Sequence, residues 1–271
     1  MDLVRPPAVA GYFYASEPAR LRQEVEGLLQ KAQASPDPRV RGLLSPHAGY
    51  FYSGKVAAEG FKALSAWGGR ARRILLLGPS HFVAFLGVAF YPYRAWATPL
   101  GEVAVDLEGG GRLLKKGPLF LTYEEPFREE HSLEVLLPFL QLALPGTPIL
   151  PLLFGEVDPQ EVAEALLPEL GEEDLVVASS DLSHYHPDPV ARKRDASTLK
   201  KALALDVEGV AQGEACGHLP WATLTALARG LGWRPRLLAY ATSAEASHDA
   251  SRVVGYAAVA YHLEEDPPAL R

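Results

Sequence analysis

Val40-Arg41-Gly42-Leu43-Leu44-Ser45-Pro46-His47 is the stretch that decides the architecture. A short apolar run closed by Ser and Pro has the length and composition of a strand buried on both faces, the kind that fills parallel sheets. Ile74-Leu75-Leu76-Leu77-Gly78-Pro79-Ser80-His81 repeats the design, and Leu175-Val176-Val177-Ala178-Ser179-Ser180-Asp181 repeats it again, with His184 close behind. In open α/β sheets ligands bind beyond the carboxyl ends of the strands. Three strands that end in His, His and Asp/His therefore point at one crevice. Cys216, the only cysteine, stands just ahead of a predicted helix.

Outward from these strands the pattern alternates. Ser16 opens a helix to about Ala32, with Leu21, Val25, Leu28 and Leu29 at helical spacing. Ser53 reads as the N-cap of the next helix. Leu86 to Phe90, Glu102 to Val105, Pro148 to Phe154, Leu237 to Ala241 and Val253 to Tyr261 read as further strands. Glu130 to Leu144, Pro159 to Leu167, Pro189 to Leu205 and Leu219 to Leu231 read as helices, the first bent at Pro138. Ala10-Gly11-Tyr12-Phe13-Tyr14 reads as extended and aromatic, Gly109-Gly110-Gly111 as a loop, and the end from Glu264 to Arg271 as frayed. There is no polar linker and no internal repeat. The expectation is one three-layer α/β domain over 1–271, a mostly parallel or mixed sheet flanked by helices.

Composition narrows the function. The net charge is -7 and lysines and arginines do not cluster, which argues against a nucleic-acid partner. No run reaches the ~18 apolar residues of a membrane span, and the first residues lack the apolar core of a signal peptide. A cytoplasmic location is the expectation. The absence of asparagine, one Met, one Cys and 23 prolines suggest a thermophilic source.

The chemistry rests on a few residues. Pro46 and Gly49 frame His47 in a rigid loop suited to presenting a metal ligand; a hydrogen-bonded loop histidine is the plainer reading. His81 repeats the arrangement on the following strand. Cys216 read alone is a buried thiol; read with His47 and His81 it completes a His-His-Cys set suited to Fe(II), Cu or Zn. Asp181 and His184 could share a face if the chain turns helically there, making a proton-transfer pair, or could cap the following helix. His131, in Glu129-Glu130-His131-Ser132-Leu133-Glu134, either faces the crevice or pairs locally with an acid.

Taken together, Ala10-Gly11-Tyr12-Phe13-Tyr14, Pro46-His47-Ala48-Gly49-Tyr50 with Ser53-Gly54, Gly78-Pro79-Ser80-His81, Glu130-His131-Ser132-Leu133-Glu134, Ser179-Ser180-Asp181 with His184, and Cys216-Gly217 resemble the Memo family, also called the AmmeMemoRadiSam system protein B family. The resemblance spans nearly the whole chain. It implies a fold like that of the class III extradiol (LigB-like) dioxygenases, which hold non-haem Fe(II) with two His and a carboxylate. It implies His47, His81 and Cys216 as metal ligands, with Cys in the carboxylate's place, Asp181 and His184 as an adjacent catalytic pair, and His131 as a pocket residue. The Cys departs from the dioxygenase pattern and weighs against catechol ring cleavage. The resemblance also implies iron or copper redox chemistry, or peptide binding, and a radical-SAM protein as a partner.

Three functions are therefore carried forward. The first is a metal-dependent redox enzyme using Fe or Cu at the His-His-Cys site, with a small-molecule or peptide ligand. The second is a non-catalytic peptide- or protein-binding module that keeps the crevice, with Tyr12, Phe13, Tyr14, Tyr50 and Trp221 as an aromatic rim. The third is Zn-dependent hydrolysis.

Overall fold

The computed structural model describes residues 3–264. The tail expected to fray thus falls, beyond Glu264, outside the described residues. The apolar runs form a nine-stranded mixed sheet. Its strands are β1 (Val40–Ser45), β2 (Arg73–Pro79), β3 (Val88–Phe90), β4 (Phe120–Thr122), β5 (Ile149–Phe154), β6 (Asp174–Ser179), β7 (His184–His186), β8 (Trp233–Thr242) and β9 (Val253–Leu263). The order across the sheet is β7-β9-β1-β6-β2-β5-β3-β4, with β8 also paired to β9. The central four, β1, β6, β2 and β5, are mutually parallel and wholly or almost wholly buried. Antiparallel pairing enters at the flanks, where β9 meets β1 and β3 meets β5. The segment between β3 and β4 sends Ala95–Thr98 and Gly101–Ala104 into a separate three-stranded sheet with Val4–Arg5.

The α-helices longer than five residues are α1 (Pro18–Lys31), α2 (Tyr50–Leu64), α3 (Leu107–Leu114), α4 (Leu137–Ala143), α5 (Pro159–Leu166), α6 (Asp188–Leu203) and α7 (His218–Leu231). Two neighbouring residues of β1 show how the layers close. Side chains alternate across a strand, so Gly42 and Leu43 face opposite sides. A Cβ at Gly42 would stand 2.9 Å from Leu224 of α7, and one at Gly60 of α2 would stand 2.5 Å from Leu43. The sheet is thus packed by α7 on one face and α2 on the other, each brought close by a missing side chain. The three-layer mixed α/β arrangement follows from this. Among the described residues no helix is long and apolar enough to cross a membrane.

Four local expectations are corrected. Helix α2 starts at Tyr50, so Ser53 lies inside it, its Oγ donating to the Ala48 carbonyl at 3.1 Å rather than capping. The helix expected from Glu130 is interrupted; 129–133 are irregular, and a 3-10 turn at Glu134–Leu136 leads into α4. The Ala10–Tyr14 segment is a tight turn, closed by Gly11 N–H donating to the Tyr14 carbonyl at 2.7 Å, with Gly11 at φ 86°. Gly109-Gly110-Gly111 is helical, in α3. Asp106 caps that helix by accepting from the Gly109 amide at 2.9 Å, and Gly110 lies flat against the buried Phe90 ring. Packing has overridden propensity here. Gly110→Ala would force a methyl into that ring, and we expect a loss of ~1–3 kcal/mol in urea denaturation despite alanine's better helix propensity; a neutral or stabilised variant would contradict the packing.

Candidate metal centre

Register carries the three loop termini to one place. Ser45 pairs with Ser179, and Leu77 with Ala178. The residues that follow each strand, His47, His81 and Asp181, consequently leave the sheet together. Cys216 reaches the same point from the loop before α7.

The two strand-end histidines are fixed from behind. His47 is buried, with Nδ1 2.8 Å from Ser179 Oγ. That hydroxyl donates its one proton to the Ser132 carbonyl at 2.6 Å, so toward His47 it can only accept. Nδ1 therefore carries a hydrogen, and Nε2 faces the Cys216 sulfur. His81 Nδ1 lies 2.8 Å from Glu130 Oε1; against a carboxylate it donates, and Nε2 is left to the Cys216 side of the ring. Glu130 also accepts the amides of His81 (2.6 Å), His131 (3.0 Å) and Ser132 (2.9 Å). Those amides turn inward to the buried carboxylate, which is why the chain at 129–133 does not continue as a helix.

The rings converge. Centroids of His47 and His81 are 5.1 Å apart, of His47 and His131 5.3 Å, and of His81 and His131 4.7 Å. One ring nitrogen from each of the three lies within 4.8 Å of the other two. Tetrahedral ligation at ~2.0–2.1 Å per nitrogen separates donors by about 3.4 Å, so modest side-chain adjustment closes the set. Cys216 Sγ stands 3.3 Å from His47 Nε2, and the Asp181 amide reaches that sulfur at 3.4 Å. A crevice of about 240 Å³, walled by Phe85, Phe154 and Leu219, extends to Cys216.

Electrostatics bind the cluster. Burial opposes ionisation of Cys216, but the charge and hydrogen bond of His47 and the hydrogen bond of His81 outweigh it and bring the thiol down to about 6. Burial likewise opposes protonation of His81, yet hydrogen bonds to Cys216 and Glu130 raise it to about 10. Burial and the neighbouring His47 hold His131 well below the usual histidine range, so its ring is neutral. Burial pushes the Asp181 carboxyl upward against the His47 amide, which donates to it at 2.9 Å. The His81 ring thus carries a second proton that a bound ion would displace, and thiolate, imidazole nitrogens and a buried carboxylate make a donor set of three N, one S and one O, which fits Fe, Cu or Zn in chemistry.

The structure thus brings His47, His81, Cys216, Asp181 and His131 together. His131 comes nearer than a pocket role requires, joining the two strand-end imidazoles within ligating reach. His184 is set apart. Residues 180–183 form no helical turn, so it does not share a helix face with Asp181; it opens β7, paired with Val254, and acts on the Asp181 carboxyl through charge. Of the aromatic residues expected at a rim, Tyr14, Tyr50 and Trp221 are core. Phe13 packs on His131 at 4.7 Å, and Tyr12 is 88% exposed. The exposed aromatics Phe51, Tyr52 and Phe82 were not foreseen. Ser179 and Glu130 were also missed as orienting groups, although both adjoin the residues that were singled out.

The Memo-like protein family model matches residues 5–260. The chain belongs to the Memo family. A MEMO1 family protein of Sulfolobus acidocaldarius is 37% identical over 284 residues, covering 96% of this chain and 99% of the relative. One of Methanopyrus kandleri is 35% identical, covering 95% and 98%. Among solved structures, an uncharacterized protein of Escherichia coli K12 aligns with a TM-score of 0.54 over 82% of this chain and 99% of its own, at 15% identity. That last likeness is one of fold.

Proposed function

We propose that this Memo-family chain is a metal-dependent redox enzyme whose ion, Fe or Cu, is held by His47, His81 and Cys216. His131 stands by as a further donor. One observation carries the reading: Ser179 and Glu130 each occupy the outer nitrogen of a strand-end histidine, so both inner nitrogens are turned toward the Cys216 sulfur. Hydrogen-bonded orientation of this kind is what metal-ligating histidines have. A bound iron or copper would supply one-electron chemistry and Lewis acidity. Asp181 and His184 would hold or pass a proton at the carboxylate oxygens, and His131 with Phe13 would shape the ligand's entry. A small-molecule or peptide ligand, a radical-SAM partner and a cytoplasmic setting belong to the same proposal.

An EPR-monitored redox titration of the iron- and copper-loaded protein tests it. We expect reversible cycling of the bound ion, lost in His81→Ala. An ion that stays in one oxidation state throughout would favour zinc-type hydrolysis or a non-catalytic module. The module reading has its own support in the exposed Phe51, Tyr52 and Phe82, of which Phe82 lies 6.1 Å from His131.

A further inference from the structure

At the opposite end of the sheet lies a second cavity, of about 500 Å³. Val40, the first residue of β1, is in its floor, and His47 lies two residues past the last. The six residues of β1 at ~3.3 Å each put about 20 Å between it and the loop that carries His47. Its floor is apolar, from Val40, Leu238 and Ala260. Its charged lining is Asp37, Arg39, Arg236 and His262.

Asp37 pairs with Arg39. The Arg39 Nε and terminal nitrogen reach the two Asp37 oxygens at 3.0 and 2.8 Å. The loop carrying them is pinned, since Glu59 accepts the amides of Gln33 and Ala34, and the Asp37 amide donates to the Ala63 carbonyl. Arg236 and His262 are left over. They lie diagonally across adjacent strands, two residues apart in register, Arg236 opposite Ala260 and His262 opposite Arg234. Arg234 is taken by Glu264 at 3.1 Å. The side chains of Arg236 and His262 make no hydrogen bond or ion pair with another described residue. An exposed guanidinium and a half-buried imidazole thus share the cavity wall with the Asp37–Arg39 pair, whose carboxylate also acts on His262 through charge.

We propose that this cavity is an oxyanion-binding site, in which Arg236 and His262 hold a phosphate or carboxylate group and the apolar floor takes the body of a small metabolite. A guanidinium fork matches such groups in shape and charge. Burial lowers the His262 pKa; Asp37 opposes that fall, and Arg39 and Arg236 add to it. An anion seated between the two groups would reverse that balance. The site is separate from the metal centre and does not depend on how that centre is read.

The test is a proton NMR titration of the histidine ring signals, with inorganic phosphate and, separately, succinate, each against sodium chloride at equal ionic strength. The His262 signal is assigned by its loss in His262→Gln. We expect a saturable shift of that signal, and at least ~tenfold weaker binding in Arg236→Ala, with Arg236→Lys between. Response to phosphate alone marks a phosphate ester as the ligand; response to succinate alone marks a dicarboxylate; response to both marks a general oxyanion site. If neither moves the His262 signal beyond the chloride control, or if Arg236→Ala binds as the parent does, the proposal falls.

Discussion

Glu134→Ala is expected to lower the unfolding free energy by ~3–5 kcal/mol, the scale on which removing one partner strands a buried charge. Glu134 is fully buried and accepts from Arg5 at 2.8 Å, from the amides of Ala8 and Val9 at 2.8 and 2.9 Å, and from the Tyr14 hydroxyl at 2.7 Å. Arg5 is equally buried, lies over the Trp96 ring at 4.3 Å, and donates to the carbonyls of Phe127 and Glu130. One carboxylate thus anchors the whole N-terminal segment to the chain beside the centre. Phe13 in that segment packs on His131, and its carbonyl accepts from the Tyr50 amide at 2.8 Å. Urea denaturation measures the loss. The double variant Arg5→Met/Glu134→Leu should recover much of it, because no unpaired charge remains. A loss under ~1 kcal/mol in Glu134→Ala would show the pair to be dispensable.

Glu130→Gln carries the second large effect. Every donor around that carboxylate points inward, three amides and the His81 ring. A carboxamide presents two N–H donors of its own, so one set faces hydrogens with hydrogens. The nearby ring charge is also lost, since burial opposes the Glu130 carboxylate but the hydrogen bond and charge of His81 hold its pKa well below the usual range. We expect ~10–100-fold weaker metal binding, the range found when an orienting partner of a ligating histidine is removed, together with a stability loss of ~1–3 kcal/mol. Competition with a chelator of known affinity measures the first, and denaturation of the metal-free protein the second. Unchanged metal affinity with lowered stability would make Glu130 a structural residue only.

The central sheet was legible because buried parallel strands write themselves as uninterrupted apolar runs, and because each of three runs ended on a polar residue with chemistry. Pro46 and Pro79 mark those strand ends in the sequence itself. What escaped is decided over long separations. The irregular chain at 129–133 follows from a carboxylate that serves His81, 49 residues away, while locally the segment has the period of a helix. The glycine triplet became helix because Phe90 needs a flat surface above it, which no local propensity encodes. The Ala10–Tyr14 turn is held by Glu134, more than a hundred residues on. At the centre, His47, His81 and Cys216 were readable from strand ends and composition. The place of His131 among them was not, since it depends on where Glu130 sits.

The most direct measurement is a Co(II) titration of the metal-free protein followed by absorption. The account predicts one saturating site per chain with a sulfur-to-cobalt charge-transfer band. That band should vanish in Cys216→Ser, and binding should be lost in His47→Ala and in His81→Ala. Saturable binding that is untouched by all three substitutions, or no binding at all, would contradict it.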